Sequence, residues 1–358
     1  DVDDGVGHTW KGTFNPMLDT TESLLPRPPV GRKLKVAVAS AATGEMGEES
    51  INEMQRLLTT LGVETAVRLP LGIRKIHPGT YVGQGKLEEI KNQVEAHQAD
   101  AVVLDVELSP SQLKNIEKIV GKHILDRPGV IIEIFSRHAR SNEAKTQVEL
   151  AKLQYLLPRL AHFWTHFERQ RGGIGMKGMG ETQIEVDRRL VKKRMGVLRD
   201  RLAGIDRDRE LHRLGRKDVF KVALVGYTNA GKSTLLNALT RSDVLAEDKL
   251  FATLDSNVRS LDPNSRPPIV MIDTVGFISQ LPHALVASFR STLRELHEAD
   301  LLLHVVDASA TFAREQMQVT LEVLTELGLE DKPRMVVLNK IDVAEKKSGT
   351  RNAARLVA

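Results

Sequence analysis

Hydrophobic and polar positions follow two different rhythms along this chain, and the rhythm changes twice. From Lys33 to about Arg137, short apolar runs alternate with stretches of helical period. "KLKVAVAS", "VETAVRLP" and "AVVLD" read as strands, rich in β-branched residues and four to eight positions long. "EESINEMQRLLTTLG", "GKLEEIKNQVEAHQ" and "SPSQLKNIEKIVG" read as amphipathic helices. Gly62 closes the first, Ser109 caps the last and Gly121 ends it. Strands alternating with helices predict a small parallel α/β domain over 33–140. The stretch 1–32, with "LLPRPPVG", reads as a lead-in of little structure, and its Asp1 start as a fragment or a processed end.

From about Ser141 to Lys217 the strand rhythm disappears. "SNEAKTQVELAKLQYLL" predicts a helix of about 25 Å that Pro158 kinks or ends. "ETQIEVDRRLVKKRMGVLRDRLAGIDRDRELHRL" predicts a second of about 50 Å. Its apolar positions are Ile184, Val191, Met195, Leu198, Leu202 and Ile205, the last five at heptad spacing. Two long helices with a glycine-rich stretch between them predict an antiparallel hairpin over 141–217, with its tip at 171–180. Charge sharpens this picture. Between Arg137 and Lys217 there are 20 Lys and Arg against 10 Asp and Glu, whereas the whole chain is only +4. A basic middle between acidic ends is the pattern of a polyanion-facing arm or of a solvated arginine-rich helix.

Composition adds exclusions. With 41% hydrophobic residues the 358-residue chain can bury several cores. There is no cysteine, which excludes disulfides and thiolate metal sites and fits a cytoplasmic protein. No apolar run reaches membrane-spanning length and no signal-peptide pattern opens the chain. A monomer is the expectation. His162 and His166 stand four apart, but no glutamate follows the first as a zinc helix needs.

From Asp218 onward strands and helices alternate again, and here the chemistry becomes specific. "VFKVALVGYTNAGKSTLLNAL" reads strand, loop, helix, and Gly226–Ser233 matches G-x-x-x-x-G-K-[ST]. Gly226, Tyr227, Thr228, Asn229, Ala230, Gly231, Lys232, Ser233 and Thr234 would then wrap a phosphate chain with backbone N–H groups at a helix N-terminus. Lys232 would reach the β and γ phosphates, and the Ser233 hydroxyl would hold Mg²⁺. "IVMIDTVGF" brings Asp273 to the end of an apolar strand, where its carboxylate can serve Mg²⁺ through water. Gly276, three residues later, can sense a γ-phosphate through its N–H. "RMVVLNKID" supplies Asn339, Lys340 and Asp342. In N-K-x-D the aspartate accepts from guanine N1–H and the 2-amino group, a donor pair adenine lacks. Three motifs in this order identify a GTPase domain over 218–358, with GTP and GDP as ligands. "FATLD" adds Phe251 and Thr253, the latter a candidate Mg²⁺ ligand in the GTP state. Lys232, Asn229 and Gly276 are the candidates for catalysis. Asn229 either helps hold a monovalent cation such as K⁺ against the phosphates or only shapes the loop. Phe277 stands where many signalling GTPases have a water-orienting glutamine, so intrinsic hydrolysis is expected to be slow.

These strings, with "LFATLDSNVRSL", "DTVGFISQLPHALVASFRSTL" and "ADLLLHVVDAS", closely resemble the HflX family of ribosome-associated GTPases. So do "YVGQGKLEEI", "ELSPSQLKNIE", "QVELAKLQYLLPRL" and "RGGIGMKGMGETQIEVDRRL", and the likeness runs from about Lys33 to about Val343. The resemblance implies binding to the large ribosomal subunit and its rRNA in the GTP state, and in some members the splitting of stalled ribosomes under heat stress. It implies that the hairpin tip reaches into the peptidyl-transferase region. Trp164, Arg169, Arg171, Gly172, Gly173, Gly175 and Lys177 are then candidate RNA contacts through stacking, charge and close backbone approach. For Trp164 and Phe163, packing between the helices is an equal alternative. "GQGKLEEI" at Gly83–Lys86 reads better as a plain loop-to-helix junction than as a second phosphate site. After N-K-x-D no Ser-Ala motif to back the guanine appears, so the GTPase domain reads as C-terminally incomplete. Rival readings are a GTPase of RNA processing or ribosome assembly, and a nucleic-acid-binding module with an inactive GTPase domain.

Overall fold

The computed structural model describes residues 23–28, 30–73, 75–160, 180–213, 219–240, 250–251, 257–262, 266–281 and 295–348. Four short strands, β1 (Lys35–Ser40), β2 (Glu64–Pro70), β3 (Ala101–Leu104) and β4 (His123–Asp126), form a parallel sheet in the order β2-β1-β3-β4. Helices α1 (Gly44–Thr60), α2 (Gln84–Ala96), α3 (Pro110–Val120) and α4 (Arg127–His138) cover it. The period of two along β1 sorts them. Val36 and Val38 share a core with α1 and α4, while Ala37 and Ala39 share another with α2 and α3. Ser109 and Gln112 form a reciprocal cap at the start of α3, and Gly121 ends it in the left-handed region, as the sequence predicts.

Helix α4 and strand β4 are absent from the sequence reading. "RPGVIIEIFSRH" has no polar face, because every residue from Arg127 to Phe135 is buried. Its β-branched run Val130–Ile132 favours extended chain. Burial on all sides erases the amphipathic signal that periodicity depends on. Asp126 caps the helix by accepting from Gly129 N, which satisfies one of the donors left open at its start.

Helix α5 (Asn142–Leu156) yields to a 3₁₀ turn, Leu157–Arg159, at Pro158. It packs against α6 (Gly180–Arg213), whose 34 residues span about 51 Å. The heptad reading holds here: Val191, Met195 and Leu198 are buried against Leu150, Leu153 and Leu160, with Leu202 at the margin. Arg194 adds a bidentate pair to Glu149 at 2.7 and 3.1 Å. Buried Asp126 anchors the arm to the first sheet, accepting from the Tyr155 hydroxyl at 2.8 Å and from Arg159 at 3.2 Å. Of the predicted tip, 171–180, Gly180 is the first residue of α6, and 171–179 lie outside the described residues.

The second sheet runs β6-β7-β5-β8-β9, from β5 (Phe220–Val225), β6 (Asn257–Asp262), β7 (Ile269–Asp273), β8 (Leu301–Asp307) and β9 (Arg334–Asn339). Only β6 is antiparallel among these pairings. Helices α7 (Lys232–Thr240), α8 (Ala313–Glu326) and α9 (Ile341–Ser348) accompany it. Strand β5 lies between β7 and β8, so the loop leaving it opens at the point where the strand order reverses. The two sheets are not independent bodies. One buried cluster joins Phe135 and Tyr155 to Tyr227, Phe251, Phe277 and Ile278.

Candidate nucleotide site

The site is built on the C-terminal ends of β5, β7 and β9. Strand β5 ends at Val225, and Gly226–Gly231 loops over to the first residue of α7, Lys232. The loop is closed from two sides. From β9, the Asn339 side chain donates to Ala230 O at 2.9 Å and Lys340 Nζ to Asn229 O at 2.9 Å. A Cβ on Gly231 would lie 2.2 Å from Asn339 Nδ2, and its φ of +94° is in the glycine-favouring region. Lys340 also pairs with Asp307 at 2.8 Å, tying β8 into the same corner. From β7, Phe277 N donates to Gly226 O at 3.1 Å and Thr228 N to Phe277 O at 2.7 Å. The Gly276 segment therefore lies directly on the phosphate loop. A side chain there would begin 2.6 Å from Thr228 Cα, which only glycine avoids.

Lys232 and Asp273 give the site its charge. Lys232 is buried and donates to Gly226 O at 3.1 Å and Tyr227 O at 3.0 Å. Burial, against a weaker pull from Asp273, pushes its pKa down to about 8. A phosphate would supply the negative charge that these carbonyl dipoles only partly replace. The Ser233 hydroxyl donates to Asp273 Oδ2 at 2.6 Å, so a hydroxyl and a carboxylate meet at one point. Such hard oxygen donors suit Mg²⁺. His304 on β8 is buried, and its pKa is pushed down to about 4 by burial and by Arg334 and Lys232, so it is neutral.

The structure thus brings together Gly226 through Ser233, Asp273, Gly276, Asn339 and Lys340. Thr234 is exposed on α7, and Asp342 is exposed in the first turn of α9. Thr253 lies outside the described residues, as do Trp164, Arg169, Arg171, Gly172, Gly173, Gly175 and Lys177. Gly83 caps α2 without a side-chain bond, a plain loop-to-helix junction. Phe277 is buried in the shared core.

Sequence reasoning missed the wall that the first sheet supplies. Tyr227, second in the phosphate loop, donates its hydroxyl to Glu53 of α1 at 2.5 Å and accepts from Ser279 N at 3.0 Å. Its pKa is raised by burial and by the Glu53 charge, so it stays a phenol. Arg127, at the start of α4, donates to Ser279 O at 3.1 Å, to Ser279 Oγ at 3.0 Å, to Asp105 at 2.6 Å and to Glu53. Signals existed: Glu53 sits inside the apolar stripe of Ile51, Met54 and Leu57, and Arg127 precedes an all-apolar run. A charge in such a place needs a buried partner.

Family models and curated relatives match most of the chain. Three family models match consecutive regions: "GTP-binding GTPase N-terminal" at 48–136, "GTP-binding GTPase Middle Region" at 138–216 and "50S ribosome-binding GTPase" at 221–340. The chain is 46% identical over 312 residues to the GTPase HflX of Flavobacterium psychrophilum, covering 86% of this chain and 75% of that protein. It is 46% identical over 306 residues to the GTPase HflX of Escherichia coli, covering 85% and 72%. A GTP-binding protein from the archaeon Sulfolobus solfataricus, solved with GDP, is 28% identical over 90% of this chain and 88% of that one, with a TM-score of 0.45. Among the described residues no helix is long and apolar enough to cross a membrane. With the phosphate loop, the D-x-x-G segment and Asn339 and Lys340 of N-K-x-D brought together, and with relatives of that name matching most of its length, the chain is a GTPase and belongs to the HflX family.

Proposed function

We propose that this GTPase is a GTP-switched factor of the large ribosomal subunit, with the helical arm as its rRNA-facing element, and that it splits or rescues stalled ribosomes. One observation carries the reading. With Val191, Met195 and Leu198 buried, Arg188, Arg189, Lys192, Lys193, Arg199 and Arg201 all stand exposed on α6. A row of cations off a satisfied seam has no internal use and matches a phosphate backbone. The match of 221–340 to a "50S ribosome-binding GTPase" model supports the same partner. Trp164 and Arg169 ahead of the glycine-rich stretch, and Arg171 and Lys177 within it, would add stacking and charge toward unpaired bases, with Gly172, Gly173 and Gly175 allowing close approach.

In the nucleotide site Lys232 and the N–H groups of Gly226–Thr234 hold the phosphates, and Asn339, Lys340 and Asp342 select guanine. Ser233, Asp273 and Thr253 hold Mg²⁺, which when bound neutralises phosphate charge. The Gly276 N–H reads the γ-phosphate. Phe277 offers no group to orient water, so unassisted turnover is slow. Asn229 assists a K⁺ ion beside the phosphates, and replacing K⁺ by Na⁺ should lower turnover several-fold. The ribosome reading is tested by co-sedimentation with purified large subunits. Pelleting with a non-hydrolysable GTP analogue, and much less with GDP or no nucleotide, is expected. Nucleotide-independent pelleting would reduce the protein to an RNA binder, and no pelleting would sink the proposal.

A further inference from the structure

Ser279 lies three residues past Gly276 and has every polar group engaged. Its carbonyl accepts from Arg127 Nε at 3.1 Å and its hydroxyl from the same guanidinium at 3.0 Å. Its N–H donates to the Tyr227 hydroxyl at 3.0 Å, and its own hydroxyl donates to Glu53 at 3.2 Å. Arg127 and Glu53 stand on α4 and α1 of the first sheet, whereas Tyr227 belongs to the phosphate loop and gives its carbonyl to Lys232 Nζ at 3.0 Å. Between Gly276 and Ser279 the Phe277 peptide groups are paired with the same loop, through Gly226 O and Thr228 N. A Cβ on Gly276 would begin 2.9 Å from Lys232 Nζ. The segment 276–279 thus runs from the phosphate-site lysine to the wall of the other sheet. The charge of Arg127 is met by Asp105 and Glu53, so Ser279 adds nothing to its neutralisation. What the guanidinium gives Ser279 is a planar fork, and two donors on one residue fix its position and its orientation together.

We infer that Ser279 is a positioning residue for GTP hydrolysis: gripped by Arg127, it holds the Gly276 N–H at the place where a γ-phosphate arrives. The inference rests on the γ-phosphate role proposed above for Gly276. Lys232, Asn339 and Lys340 make their loop contacts without Ser279, so GDP binding should not depend on it. Displacement of a catalytic group by about an ångström is enough to slow a reaction many-fold, even when the cause is remote.

The test uses the full chain and three variants. Ser279→Ala removes the hydroxyl and leaves the backbone bonds, Ser279→Thr keeps the hydroxyl, and Arg127→Lys keeps a cation beside Glu53 and Asp105 but lacks the fork. Affinities for a fluorescent non-hydrolysable GTP analogue and for fluorescent GDP are measured beside steady-state kinetics. Arg127→Lys should lower kcat about tenfold and Ser279→Ala about fivefold, and each should weaken the GTP analogue about threefold while GDP affinity stays within about twofold of wild type. Ser279→Thr should return kcat to within about twofold of wild type, and Arg127→Lys with Ser279→Ala should be no slower than Arg127→Lys alone. A lowered melting temperature with unchanged kcat and unchanged preference for the GTP analogue would overturn the role. So would equal losses for the two nucleotides, a raised kcat or additive effects in the double variant. Should Arg127→Lys fail to fold, the two Ser279 variants decide the matter alone. Gly276→Ala separates the two readings. An unchanged preference for the GTP analogue over GDP there removes the γ-phosphate role and the Ser279 role with it. A lost preference there, beside unchanged preference and kcat in Ser279→Ala and Arg127→Lys, overturns Ser279 alone.

Discussion

Two buried cations face each other's domains across the phosphate loop, and the protein treats them in opposite ways. Arg127 is buried in the wall of the first sheet and is neutralised from within. Burial alone would lower its pKa, but Asp105 and Glu53 outweigh that and hold the guanidinium charged. Its remaining donors go to Ser279. Lys232 is equally buried, but it donates to two backbone carbonyls, and its charge is answered only at a distance by Asp273. A cation that serves the fold is matched by carboxylates, whereas one that serves a ligand is left under-compensated for an incoming anion.

Removing the first cation should have the largest effect. Arg127→Met leaves Glu53 and Asp105 buried without their partner, which should cost about 3–5 kcal/mol of unfolding free energy in urea titration. Adding Glu53→Gln should recover part of that loss. A cost below about 1 kcal/mol would mean that water reaches the carboxylates and that the wall is not closed. Lys232→Met should do the reverse. The nucleotide-free protein should be no less stable, while affinity for GTP falls by about 100-fold, close to 3 kcal/mol. Fluorescent-nucleotide titration measures this, and unchanged affinity would make Lys232 another structural cation.

Proton linkage sharpens the contrast further. With a folded pKa of about 8 against an ordinary 10.5, Lys232 carries fewer protons in the native than in the unfolded chain between those values. Stability should therefore rise with pH across that window, by at most about 3 kcal/mol from this group. The difference between wild type and Lys232→Met isolates it from other titrations. Phosphate beside Lys232 should restore the proton, so nucleotide binding near pH 9 should take up protons. Calorimetry in buffers of different ionisation enthalpy would detect this, and no uptake would contradict the under-compensated state.

The same contrast explains what the sequence could convey. Gly226–Ser233, Asp273, Gly276 and Asn339–Lys340 are legible because each motif is local, and backbone geometry at a strand end requires those residue types at those spacings. The seam of Val191, Met195 and Leu198 is legible for a similar reason, since periodicity survives wherever one face is wet. Glu53, Arg127, Ser279 and Phe135 are not, because their meaning lies in meetings between segments up to 226 residues apart. Helix α4 conceals itself further, since its run from Arg127 to Phe135 is buried throughout and carries no alternation of wet and dry positions to read.

The smallest expected effect concerns the joint between the two cations. The Tyr227 hydroxyl donates to Glu53 and accepts from Ser279 N, so it links the phosphate loop to the Arg127 cluster. Tyr227→Phe keeps the ring in the shared core and removes these two bonds together with the hydroxyl's 3.2 Å contact to Ser279 Oγ. Glu53 would retain Arg127 and the Ser279 hydroxyl, which donates to it at 3.2 Å, while the Ser279 N–H would lose its acceptor. The loss should be about 1–2 kcal/mol in chemical denaturation. A loss as large as that of Arg127→Met would place the joint in Tyr227 rather than in the buried ion pairs. No loss at all would mean that the phosphate loop and the first sheet are held together by their apolar contacts, Phe135 on Phe251 foremost.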